Sequence, residues 1–153
     1  MKRGQTALEY LITYGWAILI ILVVLAVLWY YDVFNPSKWA GEQEYCPSAF
    51  ELLGTSLTGA GQDTGTLTLV VGNKVGNQVT ITNMTVDGDV NGTWAGTQVL
   101  APGGQSSGIA VIVGNLTSYT VGDIVTMTVD IDFTDNSLNL ADSEICEIRK
   151  KAS

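Results

Sequence analysis

The sequence contains no histidine, and its 7 lysine and arginine residues are outnumbered by 15 aspartates and glutamates. Histidine is the commonest general base and metal ligand in proteins. No pair of free thiol and base, phosphate-cradling glycine loop or cluster of four soft ligands takes its place. We therefore predict that the protein is not an enzyme and binds no metal or cofactor. The net charge of −8 and the lack of a basic stripe also argue against nucleic acid as a partner.

Charge is also absent from residues 10–31, which form the apolar run of the chain. A helix over these residues is roughly 33 Å long, enough to cross a hydrocarbon layer of about 30 Å. Lys2 and Arg3 precede the run and Asp32 follows it, which orients the N-terminus to the cytoplasm and the bulk of the chain outside. A secretory signal peptide is the alternative, but the run is longer than usual and no small-x-small cleavage site closes it.

The apolar segment and the remainder differ so strongly that we predict separate parts of the chain. Asn35-Pro36 is the first stop signal for a helix, because a residue before proline is disfavoured in the α conformation. We predict a transmembrane or filament-core helix over residues 5–35, a linker over 36–45 and an extracellular β-domain over 46–153.

Runs rich in β-branched residues predict strands beyond the linker. They cover residues 66–71, 79–86, 108–113 and 124–133, with shorter candidates at 97–100 and 145–149. In the run 124–133, apolar residues alternate with threonine and aspartate, so one face of the strand packs against the core and the other faces solvent. The apolar phase slips at Asn83, which indicates a bulge or a strand end. We predict an α+β chain: a long N-terminal hydrophobic helix, then an antiparallel β-sandwich of immunoglobulin-like type.

Two cysteines, Cys46 and Cys146, lie at the two ends of the β-rich region. In an extracellular setting such a pair predicts a disulfide that closes a loop of nearly the whole domain. Two separate buried thiols are the alternative, because the sequence does not give the distance between the two Cα atoms.

Three N-x-[ST] sequons begin at Asn83, Asn91 and Asn115. Each is weak alone in a domain rich in threonine and asparagine, but three in an exported domain predict glycosylation. Asn91 and Asn115 are better placed in turns than Asn83.

The stretch DGDVNG, residues 87–92, matches the first half of an EF-hand calcium loop. The twelfth position is Gln98 rather than the bidentate glutamate, and predicted strands rather than helices flank the stretch. We therefore predict a hairpin turn.

The N-terminal stretch KRGQTALEYLITYGWAILI resembles the class III signal sequence of archaeal type IV pilin-like proteins. The shared features are basic residues, then Gly-Gln, a small residue, and a glutamate four residues after the glutamine. The resemblance implies that a prepilin peptidase cuts between Gly4 and Gln5, which removes residues 1–4 as a leader and leaves the helix on the subunit. It also implies that Glu9 aligns an incoming subunit by pairing with the α-amine of a neighbour's Gln5. A pair within one chain is the alternative, because residues 5 and 9 lie one helical turn apart on the same face. An unpaired carboxylate buried among apolar helices would be costly.

The function implied by this resemblance is that of a pilin, a structural subunit of an archaeal type IV pilus-like surface filament that serves adhesion. Its partners would be identical subunits, the membrane before assembly, the prepilin peptidase and the pilus assembly machinery. The precursor would lie in the cytoplasmic membrane and the product in an extracellular filament. Two alternatives stay open: a membrane-anchored extracellular module that binds sugar or protein, and an archaellum or minor pilin component.

Overall fold

The structure, a computed structural model, describes residues 3–31, 33–34 and 41–153. The chain divides into two compact units, Met1–Trp39 and Ala40–Ser153. The first contains an apolar helix and the second contains an antiparallel β-domain with its own core.

The helix α1 spans Arg3–Tyr30. Its leucine and alanine residues favour helix, and no proline interrupts it. Beyond its end, the Val33 N–H donates to the Leu28 carbonyl at 3.1 Å, a backbone bond of the kind that closes the last turn of many helices. The helix therefore ends at Tyr30 and not at Asn35 as predicted. The proposed stop, Asn35-Pro36, lies outside the described residues.

Eight strands follow in the described part of the chain. They are β1 Gln43–Tyr45, β2 Phe50–Thr58, β3 Thr64–Asn73, β4 Val79–Gly88, β5 Asn91–Leu100, β6 Ile109–Gly114, β7 Ile124–Asp135 and β8 Leu140–Lys151. The four long runs recognised in the sequence lie mainly within β3, β4, β6 and β7, and the two short candidates lie in β5 and β8. Neither β1 nor β2 was predicted, and β1 falls within the residues assigned to the linker.

All eight strands belong to one sheet with the order β1-β8-β7-β4-β5-β6-β3-β2, and each neighbouring pair is antiparallel. The end of the chain approaches β2: Leu57 forms a parallel bridge with Ala152, and the Ser153 N–H donates to the Leu57 carbonyl at 3.0 Å. The sheet is thus nearly a closed barrel. The prediction of an apolar helix followed by an antiparallel β-domain is confirmed, but the strand pairings do not specifically indicate an immunoglobulin-like sandwich.

The core lies inside the wrapped sheet, and β7 shows why the strands take this orientation. Its alternate residues Val125, Met127, Val129, Ile131 and Phe133 are at most 6% exposed, as the alternation predicts. Burial of one face fixes the register, since a slip by one residue would turn every apolar side chain outward.

The irregularity predicted at Asn83 is a bulge in β4. Pairing with both β5 and β7 shifts between Ile81 and Asn83. The extra residue restores the alternation, so that Met84 and Val86 are again buried.

Candidate assembly helix and sites on the β-domain

The surface of α1 is apolar on all sides. The most apolar stretch within Ala7–Tyr30 has a mean hydropathy of 2.8, and none of its residues is buried. Leu11, Trp16 and Leu22 are all more than 60% exposed. A helix with such a surface needs lipid or other protein around it. Its length and composition suit a membrane anchor, and a signal sequence near an N-terminus has the same properties.

Glu9 is the lone charged side chain in residues 7–31 of the sequence, and it is exposed on α1. Its backbone carbonyl accepts a hydrogen bond from the Thr13 hydroxyl at 2.8 Å. Next to Glu9 in the sequence, the ring of Tyr10 packs against that of Tyr14 one helical turn further on, with the ring centroids 4.1 Å apart. The carboxylate thus stands on an apolar surface, where any environment that covers the helix must also accommodate a negative charge.

The residues of the predicted cleavage site, Gly4 and Gln5, lie in the first turns of α1. Cleavage after Gly4 and pairing of the new amine with Glu9 stay predictions.

The predicted disulfide is confirmed: Cys46 and Cys146 are joined, with their Cα atoms 4.3 Å apart. The bond links the segment after β1 to the middle of β8. It closes a loop with a sequence separation of 100 residues, so it constrains almost the whole β-domain.

A buried carboxylate next to the disulfide was not recognised in the sequence. Glu144 is 7% exposed and accepts hydrogen bonds from the backbone N–H groups of Ser48, Ala49 and Phe50. It shares the inward phase of β8 with Cys146, which is the sequence signal that could have identified it. Disulfide and carboxylate together hold residues 46–50 against β8.

Lys150 in β8 holds β1 through two carboxylates. Its Nζ lies 2.9 Å from Glu42 Oε2 and 3.3 Å from Glu44 Oε1. The hydrogen bond from Lys150 lowers the pKa of the Glu42 carboxyl, and the bond to Glu42 raises the pKa of the Lys150 ammonium. Glu44 also accepts a hydrogen bond from the Thr55 hydroxyl of β2, so this group spans the seam between the two end strands of the sheet.

The stretch of residues 87–92 is a hairpin turn, as predicted. Asp89 and Val90 connect β4 to β5, and Gly88 takes a φ of 128° that favours glycine. The Asp89 carboxylate accepts from the Thr126 N–H at 2.8 Å. The turn is therefore anchored to β7 by protein hydrogen bonds. The described residues contain no group of three or more histidine, cysteine, aspartate or glutamate side chains arranged for a metal.

The three sequons fall into two settings. Asn91 opens β5 and Asn115 follows β6, and both side chains are exposed. Pairing of Asn91 with Gly114 brings these two asparagines together. Asn83 lies inside β4, between two neighbouring strands.

No protein-family model matches this chain, and no curated protein matches it either. Among solved structures, the chain is similar to a FixG-related protein from Vibrio parahaemolyticus, with 19% sequence identity and a TM-score of 0.32. That match covers 74% of this chain and 95% of the other. A likeness at this level carries no conclusion about function.

Proposed function

We propose that the chain is the structural subunit of a surface filament of the archaeal type IV pilus type. In this proposal, a prepilin peptidase removes residues 1–4, α1 anchors the precursor in the cytoplasmic membrane, and α1 then leaves the lipid to pack against identical helices. The β-domain stays outside and forms the filament surface, where adhesion would reside. The immunoglobulin-like arrangement of that domain stays a prediction.

The observation that carries the proposal is the lone carboxylate of Glu9 on a helix that is apolar on all sides. A plain membrane anchor has no use for this charge, and ionisable residues within apolar spans are by default functional. In a bundle of identical helices, a cation must neutralise it. Cleavage after Gly4 would provide one, the α-amine of Gln5. The N-terminal sequence pattern and the carboxylate thus support the same proposal.

The β-domain supports it in a second way. A subunit displayed outside the cell must keep its fold without its neighbours, and this domain has one closed core, a disulfide and a nearly closed sheet. A disulfide is typical of proteins exposed to oxidising surroundings. The same features also suit the alternative of a membrane-anchored binding module. The properties of α1, and not those of the β-domain, therefore distinguish a filament subunit from such a module.

The test is Glu9→Gln in the full chain expressed in the organism that assembles it. We expect insertion and cleavage after Gly4 to continue, because neither depends on this charge. Filament yield should fall by about tenfold or more, which corresponds to about 1.4 kcal/mol of lost assembly free energy. The measurement compares the cleaved chain in membranes with the chain in sheared filaments.

Glu147→Gln is the matched control, because Glu147 is an exposed carboxylate on β8 and should leave assembly unchanged. Normal filaments from Glu9→Gln would contradict the pairing role. A cleaved chain that never appears in filaments, even in the native form, would favour the anchored binding module. An archaellum component would be recognised by altered motility of the cells that carry the variant. A minor pilin would be recognised as a small fraction of the subunits in sheared filaments.

A further inference from the structure

Asn91 and Asn115 share one patch of surface. The strands β5 and β6 pair at Asn91–Gly114, Gly92–Val113 and Thr93–Ile112, and Asn115 follows Gly114 directly. A Cβ atom built on Gly114 would lie 3.3 Å from Asn91 Oδ1. The Asn91 side chain therefore lies against the backbone that leads into Asn115.

The two asparagines are both accessible. Asn115, in the loop after β6, is exposed and takes a φ of 68°, while Leu116 beside it is fully buried and fixes the loop on the core. Asn91 is exposed at the first position of β5. Both asparagines thus lie on the surface, one at a strand end and one in a loop, as attachment of a bulky group requires.

Asn83 is in a different situation. Its Nδ2 donates to Asp132 Oδ2 at 3.0 Å, and its backbone is paired on one side with Ala95 and on the other with Asp132. The amide nitrogen is therefore engaged, and it lies within a strand that has neighbours on both sides.

The surface next to Asn91 carries groups that can contact a saccharide. A shallow depression of about 380 Å³ is lined by Thr85, Asp87, Asn91 and Thr93, among others. Hydroxyl and carboxylate groups there can bond to sugar hydroxyls. Ile112, paired with Thr93, is 67% exposed and offers an apolar surface to the carbon face of a sugar ring.

We propose that Asn91 and Asn115 are alternative attachment positions for a single N-linked glycan per chain, and that Asn83 stays unmodified. On Asn91 the first sugar covers the depression and Ile112. Because Asn115 directly follows the residue that pairs with Asn91, a glycan on either asparagine blocks access to the other. The inference rests on the proposed export of the β-domain.

The transfer that attaches the glycan requires a glycosyl donor activated as a phosphate ester. The asparagine amide nitrogen forms a bond to the anomeric carbon of the donor, and the bond from that carbon to the phosphate oxygen breaks. The phosphate leaves with the electron pair, and the amide loses one proton to a base of the transferase. No oxidation or reduction is involved.

The test is glycopeptide and intact-mass spectrometry of the full chain from the membranes of its own organism. Loss of the sequon hydroxyl, as Thr85→Val, Thr93→Val or Thr117→Val, removes one site at a time. We expect one glycan on the native chain and on each single variant, with Thr93→Val shifting it to Asn115 and Thr117→Val shifting it to Asn91. The double variant Thr93→Val/Thr117→Val should carry none. Asn91→Gln should repeat the result of Thr93→Val if the threonine change does not disturb β5.

Two glycans on one chain, or a glycan on Asn83, would overturn the inference. Labelling intact cells with a membrane-impermeant amine reagent separates this inference from the proposed function. A labelled chain without any glycan contradicts the glycan site alone. A chain that the reagent cannot reach contradicts the export of the domain, and the glycan site with it.

Discussion

Asp135, at the end of β7, has a carboxyl pKa well below the usual range of aspartate. Its Oδ2 accepts from the Asn77 amide at 3.0 Å, and its Oδ1 accepts from the Ser137 hydroxyl at 2.7 Å and the Ser137 N–H at 2.8 Å. The hydrogen bond from Asn77 first, and those from Ser137 next, lower the pKa of Asp135 from 3.8 to about 2. The ionised carboxylate thus fixes both the turn after β7 and the loop before β4.

This shift makes the stability of the β-domain depend on pH. Because the folded pKa is lower than the unfolded pKa, the contribution of Asp135 is present above about pH 4 and is lost as the pH falls towards about 2. Asp135→Asn should lower the melting temperature near neutral pH and flatten its fall in acid. The measurement is the melting temperature of the full chain in detergent from about pH 2 to about pH 6.

The control for this experiment is Asp142→Asn. Asp142 is exposed, and its carboxylate accepts a hydrogen bond from the next residue's N–H, Ser143, at 2.9 Å. With Asp142→Asn, the melting temperature should fall in acid nearly in parallel with that of the native chain. A parallel curve for Asp135→Asn as well would show that these hydrogen bonds do not hold the carboxylate in its ionised form.

Among the elements, β7 and β2 show what sequence patterns can and cannot predict. The apolar residues of β7 alternate strictly because one face packs on the core and the other meets solvent. In β2 the pairing with β3 shifts between Leu52 and Gly54, so adjacent leucines replace alternation and the period-two signal is lost. Strand β1 has three residues and depends on contacts with β8, which are remote in sequence and leave no local pattern.

The attachment of residues 46–50 to β8 could be predicted only in part. The two cysteines suggested their own pairing, but Glu144 carries no motif. Its role follows from the chain path, which brings three backbone N–H groups to one buried carboxylate. Such a convergence of groups from distant residues appears only when the fold is known.

Glu144→Gln should destabilise the β-domain by about 1–3 kcal/mol, because a neutral amide offers one acceptor oxygen to donors that are buried at this site. Urea unfolding of the full chain in mild detergent measures the change as a lower midpoint with an unchanged slope. Glu147→Gln, on the exposed phase of the same strand, should change the midpoint little. Equal midpoints for both variants would show that the three backbone hydrogen bonds contribute nothing measurable.

Removal of the disulfide should destabilise the β-domain more than Glu144→Gln does. In the chain-entropy model, a cross-link over about 100 residues stabilises by roughly 4.7 kcal/mol. Cys146→Ser and Cys46→Ser should therefore lower the unfolding free energy by similar amounts of a few kcal/mol. Non-reducing peptide mapping of the native chain should yield the linked pair. Free thiols at both positions in oxidising buffer would contradict the assignment.

At the scale of the whole molecule, the sequence predicted the division into an apolar helix and a β-domain, but not the order of the strands. The division is visible because composition changes abruptly after the apolar run. The order depends on pairings such as β3 with β6 and β4 with β7, which join segments far apart along the chain. Closure of the sheet depends on Ala152 and Ser153, which reach Leu57 of β2.

The proposed function depends on what happens to the N-terminus, because a filament subunit must lose its leader and keep its helix. The most direct test is mass spectrometry with N-terminal sequencing of material sheared from the cell surface. The proposal predicts filaments of this chain beginning at Gln5, with α1 intact. Surface material that begins at Met1, or that begins after Tyr31 and so lacks α1, would contradict it.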